Sequence, residues 1–255
     1  MKKLNRIFFH ETSFKDKLLI LHICLIYAIC SSCFIGIAVW FKQPMILCRD
    51  HKTLKQTICY EDFACKNPKI SYHINTKTGP KTLAAELSLI CDRKFQQRML
   101  LSMTFLGGFL GCLLNALIYV PATKRKAALS ILCLILVSAK AGALLMSPNI
   151  YFVGGFLGAI SFCCIIINSY CFALINEVFS GEVSKIATVM MTLSWGIFGV
   201  LYAGFCFYID SNWRTIFIMV SGLMLFFAIS LLFLENEKGI KHGSSKEVHF
   251  LLLSF

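Results

Sequence analysis

Six long apolar runs dominate the chain, at 18–41, 99–120, 127–146, 150–175, 186–208 and 215–234, and polar segments of very unequal length separate them. Each run has 20 residues or more. As a helix rising about 1.5 Å per residue, each covers about 30 Å, the thickness of a hydrocarbon core. A buried strand needs only about four to eight apolar residues, so runs of this length read as spanning helices. The pattern predicts an all-α integral membrane protein built as a bundle of six transmembrane helices. A polar amino-terminal segment at 1–17, a long loop at 42–98 and a polar tail at 235–255 complete the chain. The first run exceeds the apolar core of a cleaved signal peptide, about 7–15 residues, and is expected to be retained as a span.

Small and polar residues recur inside these runs at helical spacing. Thr104, Gly108, Gly111 and Asn115 share one face of the second run. Gly154, Gly158, Ser161, Ile165, Asn168 and Phe172 share a face of the fourth, and Thr188, Thr192, Trp195, Gly199 and Tyr202 a face of the fifth. Such stripes serve either as close helix–helix packing faces or as the lining of a solute path. Lys140, the only charge in the third run, lies six residues from its far end. It either snorkels to that interface or stands on a solute path. Asn115, Lys140, Ile165, Asn168, Phe172 and Trp195 are the candidate pathway residues. In a bundle of six helices alone, the stripes of the second and fifth runs are expected to face lipid or a second chain.

Composition supports the membrane reading. The chain is 57% hydrophobic and 15% charged, against about 45–50% apolar in soluble domains. Its net charge of +12 does not point to nucleic acid, because neither a basic amphipathic helix nor an aromatic–basic platform occurs. The basic residues instead flank apolar runs, where they meet the headgroups of a lipid bilayer. Lys and Arg number five in 1–17, three in 121–126, one at Lys185 and three in the tail, whereas the short turns on the other side hold only Arg214. That asymmetry predicts both termini on the cytoplasmic side. The loop 42–98 carries eleven Lys and Arg and runs against the rule, but it is near the limit of about 60 residues beyond which loops translocate regardless of charge.

That loop holds Cys48, Cys59, Cys65 and Cys91. Four cysteines in one hydrophilic loop predict two disulfides in an extracytosolic subdomain, with three pairings open. The spacings of eleven, six and twenty-six contain no CxxC, so the loop lacks a zinc pattern and no metal is expected. The other nine cysteines lie in apolar runs, where Cys acts as a small hydrophobe. GxSxG, HExxH and P-loop motifs are absent, and the second to sixth runs contain no Asp, Glu or His. A membrane-embedded enzyme is therefore not expected, nor is a cofactor.

Several segments resemble one family in order and spacing. Glu86-Leu-Ser-Leu-Ile-Cys91-Asp92 is similar to the E-x-N-L-V-C-D stretch that precedes the second span of organic cation and anion transporters, a branch of the major facilitator superfamily. The run Phe-Leu-Gly-Gly-Phe-Leu-Gly at 105–111, Ser147-Pro148-Asn149, Leu174-Ile175-Asn176-Glu177 and Trp213-Arg214 follow in register. Together they resemble the amino-terminal six-helix half of such a transporter. Of the family's loop signature after the second span, roughly G-x-x-A-D-R-x-G-R-K, the basic end survives as Arg125-Lys126, with Pro121 at the Asp position. The segment after the sixth run keeps only Leu234-Glu235-Asn236-Glu237 of the family's P-E-S-P-R-W. The resemblance implies a cytoplasmic charge network of Arg125, Lys126 and Glu177, and a cavity lined from the fourth span by Ile165, Asn168 and Phe172. It also implies transport of a small organic solute, an organic ion above all, by alternating access. A second six-helix half or self-association would then supply the opposing wall. The other expectation is a non-transporting membrane adaptor or receptor-like protein.

Overall fold

The computed structural model describes residues 13–50, 56–66, 70–75, 79–147, 149–179, 181–208 and 212–234. The amino-terminal residues 1–12, the tail 235–255, Pro148 and Asp210 lie outside the described residues. Six helices are long and apolar enough to cross a membrane. They are α1 (Phe14–Trp40), α4 (Lys94–Leu117), α5 (Ala122–Met146), α6 (Ile150–Val178), α7 (Gly181–Tyr208) and α8 (Trp213–Phe233). Between α1 and α4 lie strands β1 (Ile46–Asp50) and β2 (Gln56–Cys59), helix α2 (Glu61–Lys66), strand β3 (Ile70–Ile74) and the short helix α3 (Leu83–Glu86).

The helix ends follow local chemistry. Ser13 caps α1, its hydroxyl accepting from the Lys15 backbone N–H at 3.2 Å. Asn149 caps α6 through the N–H groups of Tyr151 and Phe152, and Asn212 caps α8 through that of Arg214. The apolar residues 118–120 are not helical. Ile118 is extended and Pro121 stands at the cap of α5, as expected for a residue that disfavours helix before it and suits the first turn after it. The basic cluster Lys124–Lys126 is consequently the first turn of α5 and not a free loop.

Helices α1, α6, α5 and α8 form a closed four-helix core, each packed on the next and α8 back on α1. Helix α4 packs on α6, while α7 packs on α1 with a smaller contact to α6. The flanking pair is the least buried, at 22% of the spanning window each against 61% for α1. The outer face of the α1/α6 pair thus lies between α4 and α7.

The α4/α6 contact explains the small-residue stripes. A Cβ added at Gly107 would lie 2.0 Å from the Gly158 carbonyl oxygen, and one at Gly111 would lie 2.7 Å from that of Phe162. The two backbones touch, which only glycine permits. Thr104 and Gly111 are buried, Gly108 faces Ser161, and half-buried Asn115 sits one turn further on. The glycines of the second run's stripe therefore meet α6, a correction for Gly108 and Gly111 to the expectation that this stripe faces lipid or a second chain. Its counterpart on α7 divides. Gly199 and Tyr202 are buried, Gly199 against Ile35 of α1, whereas Thr192 is exposed.

The long loop has two parts that the pattern of polar residues did not announce. One is an antiparallel sheet in the order β2–β1–β3, with Cys48 opposite Thr57 and Tyr72. It has its own small core of Ile46, Cys48, Ala64 and Ile90. Disulfides join Cys48 to Cys59 and Cys65 to Cys91. Buried Glu61 adds a polar brace, accepting from Gln43 Nε2 at 2.5 Å and from the Cys91 N–H at 3.2 Å, with Lys94 Nζ at 3.2 Å. The other part is α3 and its flanks, whose Leu83, Ala84, Leu87 and Leu89 join the hydrophobic core of the helix bundle.

Candidate functional site

Three polar arrangements stand out along the bundle, one at each end and one between α4 and α7. At the loop end Glu86 closes α3. Its carboxylate accepts from Arg214 Nη2 at 2.5 Å and Nε at 3.0 Å, from Trp213 Nε1 at 2.9 Å, and from the Ser147 hydroxyl. The Trp213 backbone N–H donates to the Lys81 carbonyl at 3.1 Å, and Arg214 Nη1 reaches the Leu144 carbonyl. One carboxylate therefore joins the loop, the end of α5 and the start of α8. Sequence reasoning had quoted Glu86, Ser147 and Trp213-Arg214 as separate motif pieces; the fold brings them onto a single group.

Partial burial pushes the Glu86 carboxyl up, but the hydrogen bonds from Arg214, Ser147 and Trp213 outweigh it and hold the group below its ordinary value. A carboxyl lowered in the folded state contributes stability that is fully present above its unfolded pKa, about 4.3. That contribution is lost as pH falls through the lower folded value. Thermal unfolding measured between about pH 7 and about pH 3 should show an acid-side loss that Glu86→Gln makes smaller. An unchanged pH profile in that variant would remove Glu86 from the acid response.

At the opposite end Arg125 forms an ion pair with Glu177 at the end of α6, and its Nη2 donates to the Val120 carbonyl at 2.9 Å. Lys126 donates to the Leu234 carbonyl beyond α8. These contacts tie the first turn of α5 to the ends of α6 and α8.

Between α4 and α7, the ring of Tyr27 on α1 meets that of Phe172 on α6 edge to face, 5.2 Å between centroids. Asn168 lies one turn before Phe172, half-buried, and its Oδ1 is buried with no hydrogen-bond partner among the described residues. Trp195 is half-buried on α7, and the nearby Ser194 hydroxyl donates to the Cys24 carbonyl at 3.0 Å. Tyr27 is not among the residues that helical spacing singles out; its signal in the sequence is that it is the only tyrosine of the first apolar run.

Two candidates sit elsewhere. Ile165 packs under Gly108 and Gly111 of α4, 3.8 and 3.4 Å from where their Cβ atoms would be, so it is a packing residue. Lys140 is 2% exposed, and its ammonium lies 5.8 Å from the Phe217 ring centroid. It points into the four-helix core and not toward Asn168 and Phe172 on the flanked face. No ion pair of Lys140 is found among the described residues. A buried ammonium without a carboxylate is costly, and an isosteric apolar chain avoids that cost. Lys140→Met is expected to raise the unfolding temperature by a few degrees in scanning fluorimetry; a fall would show that the ammonium is stabilising.

Among the described residues no group of His, Cys, Asp and Glu is arranged to hold a metal ion. The six apolar helices make the chain a multi-pass membrane protein. No family model matches the chain, and no curated protein matches it.

Proposed function

We infer that this chain is a solute carrier of the major facilitator type, related to the organic cation and anion transporters and corresponding to one six-helix half. It carries a small organic ion by alternating access, with the face between α4 and α7 as one wall of the path. Both termini are cytoplasmic in this reading, and the disulfide-bonded subdomain lies outside. The observation that carries it is the buried, unpartnered Oδ1 of Asn168 beside the Tyr27–Phe172 ring pair. A buried amide oxygen without a donor is unfavourable in a closed core, and a passing solute or water supplies that donor. The motif order from Glu86 to Arg214 and the convergence of its pieces on Glu86 support the relationship. A second copy or a second six-helix half provides the opposing wall.

The test is uptake of labelled organic ions into vesicles holding the purified chain. Saturable uptake is expected when vesicles hold two or more chains, and Asn168→Ala should lower its kcat/KM by about tenfold, the value of one buried hydrogen bond. Saturable flux from vesicles shown to hold a single chain would overturn the need for a second wall. No uptake under any condition would favour the receptor-like alternative, which exposed Ile58, Tyr60 and Phe63 on the outer subdomain support as a protein-binding patch.

A further inference from the structure

The loop end of the four-helix core is closed by a segment of the loop itself. Leu83 is 0% exposed, Ala84 1%, Leu89 2% and Leu87 5%, and all four belong to the same cluster as Trp40, Trp213 and Phe217 of the bundle. The sheet keeps a separate core of its own. So residues 82–89 are packed as part of the bundle although they lie outside every span, whereas Ile90 belongs to the core of the sheet. Thr82 starts the segment, its hydroxyl accepting from the Ala85 N–H and donating to the Lys42 carbonyl, each at 3.2 Å. The segment's only charged side chain is Glu86, and among the described residues every donor to that carboxylate comes from α8 or from the α5–α6 turn.

We propose that residues Thr82–Leu89 are a plug sealing the loop end of the four-helix core, and that the Glu86 carboxylate is the latch that seats it. The apolar side chains supply the seal. The latch supplies register, because a bidentate guanidinium–carboxylate pair with two further donors fixes position and angle. A plug held by apolar burial alone slides and tilts easily. With the latch closed, water is kept from the upper part of the core, where Cys33 lies seven residues from the end of α1 and Lys140 six residues from the end of α5. With it open, that upper part is wetted while the lower half stays packed. This inference does not depend on transport; it concerns which end of the core can open and what holds it shut.

The native cysteines report the state. Cys33 lies toward the plug, Cys24 and Cys171 lie in the other half, and all three are buried, whereas Cys112 is exposed. The purified chain in lipid nanodiscs is treated with a charged, membrane-impermeant thiol reagent, and modification at each cysteine is followed by mass spectrometry. In Glu86→Gln, Cys33 should react about tenfold faster than in the unmodified chain, the effect of one charge-assisted hydrogen bond network weakened by about 1.4 kcal/mol. Cys24 and Cys171 should remain protected, and Cys112, whose exposed face lies within the apolar run 99–120 and so in hydrocarbon, should not react with the charged reagent in either chain. Arg214→Gln removes the donors instead of the acceptor and should give the same pattern, so it decides the matter if Glu86→Gln fails to fold. Protection of Cys33 in a folded latch variant would overturn the proposal. So would equal exposure of Cys24, Cys33 and Cys171, since that is general loosening and not the opening of one end.

Discussion

Gly107→Leu is expected to detach α4 from α6 and to lower stability by about 3 kcal/mol, the upper part of the range for overpacking. The side chain would enter the space of the Gly158 backbone, where a Cβ alone already comes within 2.0 Å of the carbonyl oxygen and 2.6 Å of the carbonyl carbon. Backbone cannot move aside as a flexible side chain does, and helix α6 is held from its other sides by α1 and α5. The helices must therefore separate, and α4 has no other principal packing partner. Gly155→Leu is the control, because a Cβ there meets nothing within 4 Å. Thermal unfolding of the two variants in one detergent should differ clearly, with Gly155→Leu close to the unmodified chain. Equal stability of the two would show that the α4/α6 contact is not a tight one.

The second large effect is expected from Cys65→Ser combined with Cys91→Ser. This bridge spans 26 residues and joins α2 to the turn that leads into α4. By chain entropy a loop of that size is worth about 3–4 kcal/mol, more than the bridge between Cys48 and Cys59, which spans 11 residues. Among the described residues the core beneath the sheet has only four buried members, so the cross-links and the Glu61 brace carry much of its stability. Limited proteolysis should cut the double variant within 56–75 at protease levels that leave the parent intact, while the helix bundle survives. Resistance equal to the parent would mean that Glu61 and the sheet pairing suffice without the bridge.

The legibility of this chain varies with the range of the interaction that decides each feature. The six apolar helices could be read because continuous apolarity over 20 residues has one physical meaning, and the four loop cysteines could be read as disulfides from their compartment logic. Helix ends were less legible. Ile118–Val120 is as apolar as the helix before it, and only the steric demand of Pro121 on its neighbours ends α4 at Leu117. The sheet was not legible, because ILCRD, QTIC and ISYHI are short, mix polar with apolar residues, and owe their order to pairing and cross-links. Glycine spacing located the packing face of α4, yet it could not say which glycine makes the closest contact; Gly107 does, and it stands just off the stripe read from the sequence. Lys140 was ambiguous for a similar reason, since spacing gives its depth but not the direction in which its side chain turns. The role of Glu86 was hidden altogether, because its partners are side chains far along the chain.

That distance has a consequence for biosynthesis. Ser147 lies 61 residues after Glu86, and Arg214 lies 128 residues after it. At about 5–20 residues per second, the ribosome needs roughly 6–25 s to supply the arginine. Throughout that interval Leu83, Leu87 and Leu89 have been made while Trp213 and Phe217, which share their core cluster, have not. The hydrogen bonds that Trp213 and Arg214 give to Glu86 can therefore form only after the last helix has begun, and closure of the loop end waits on it.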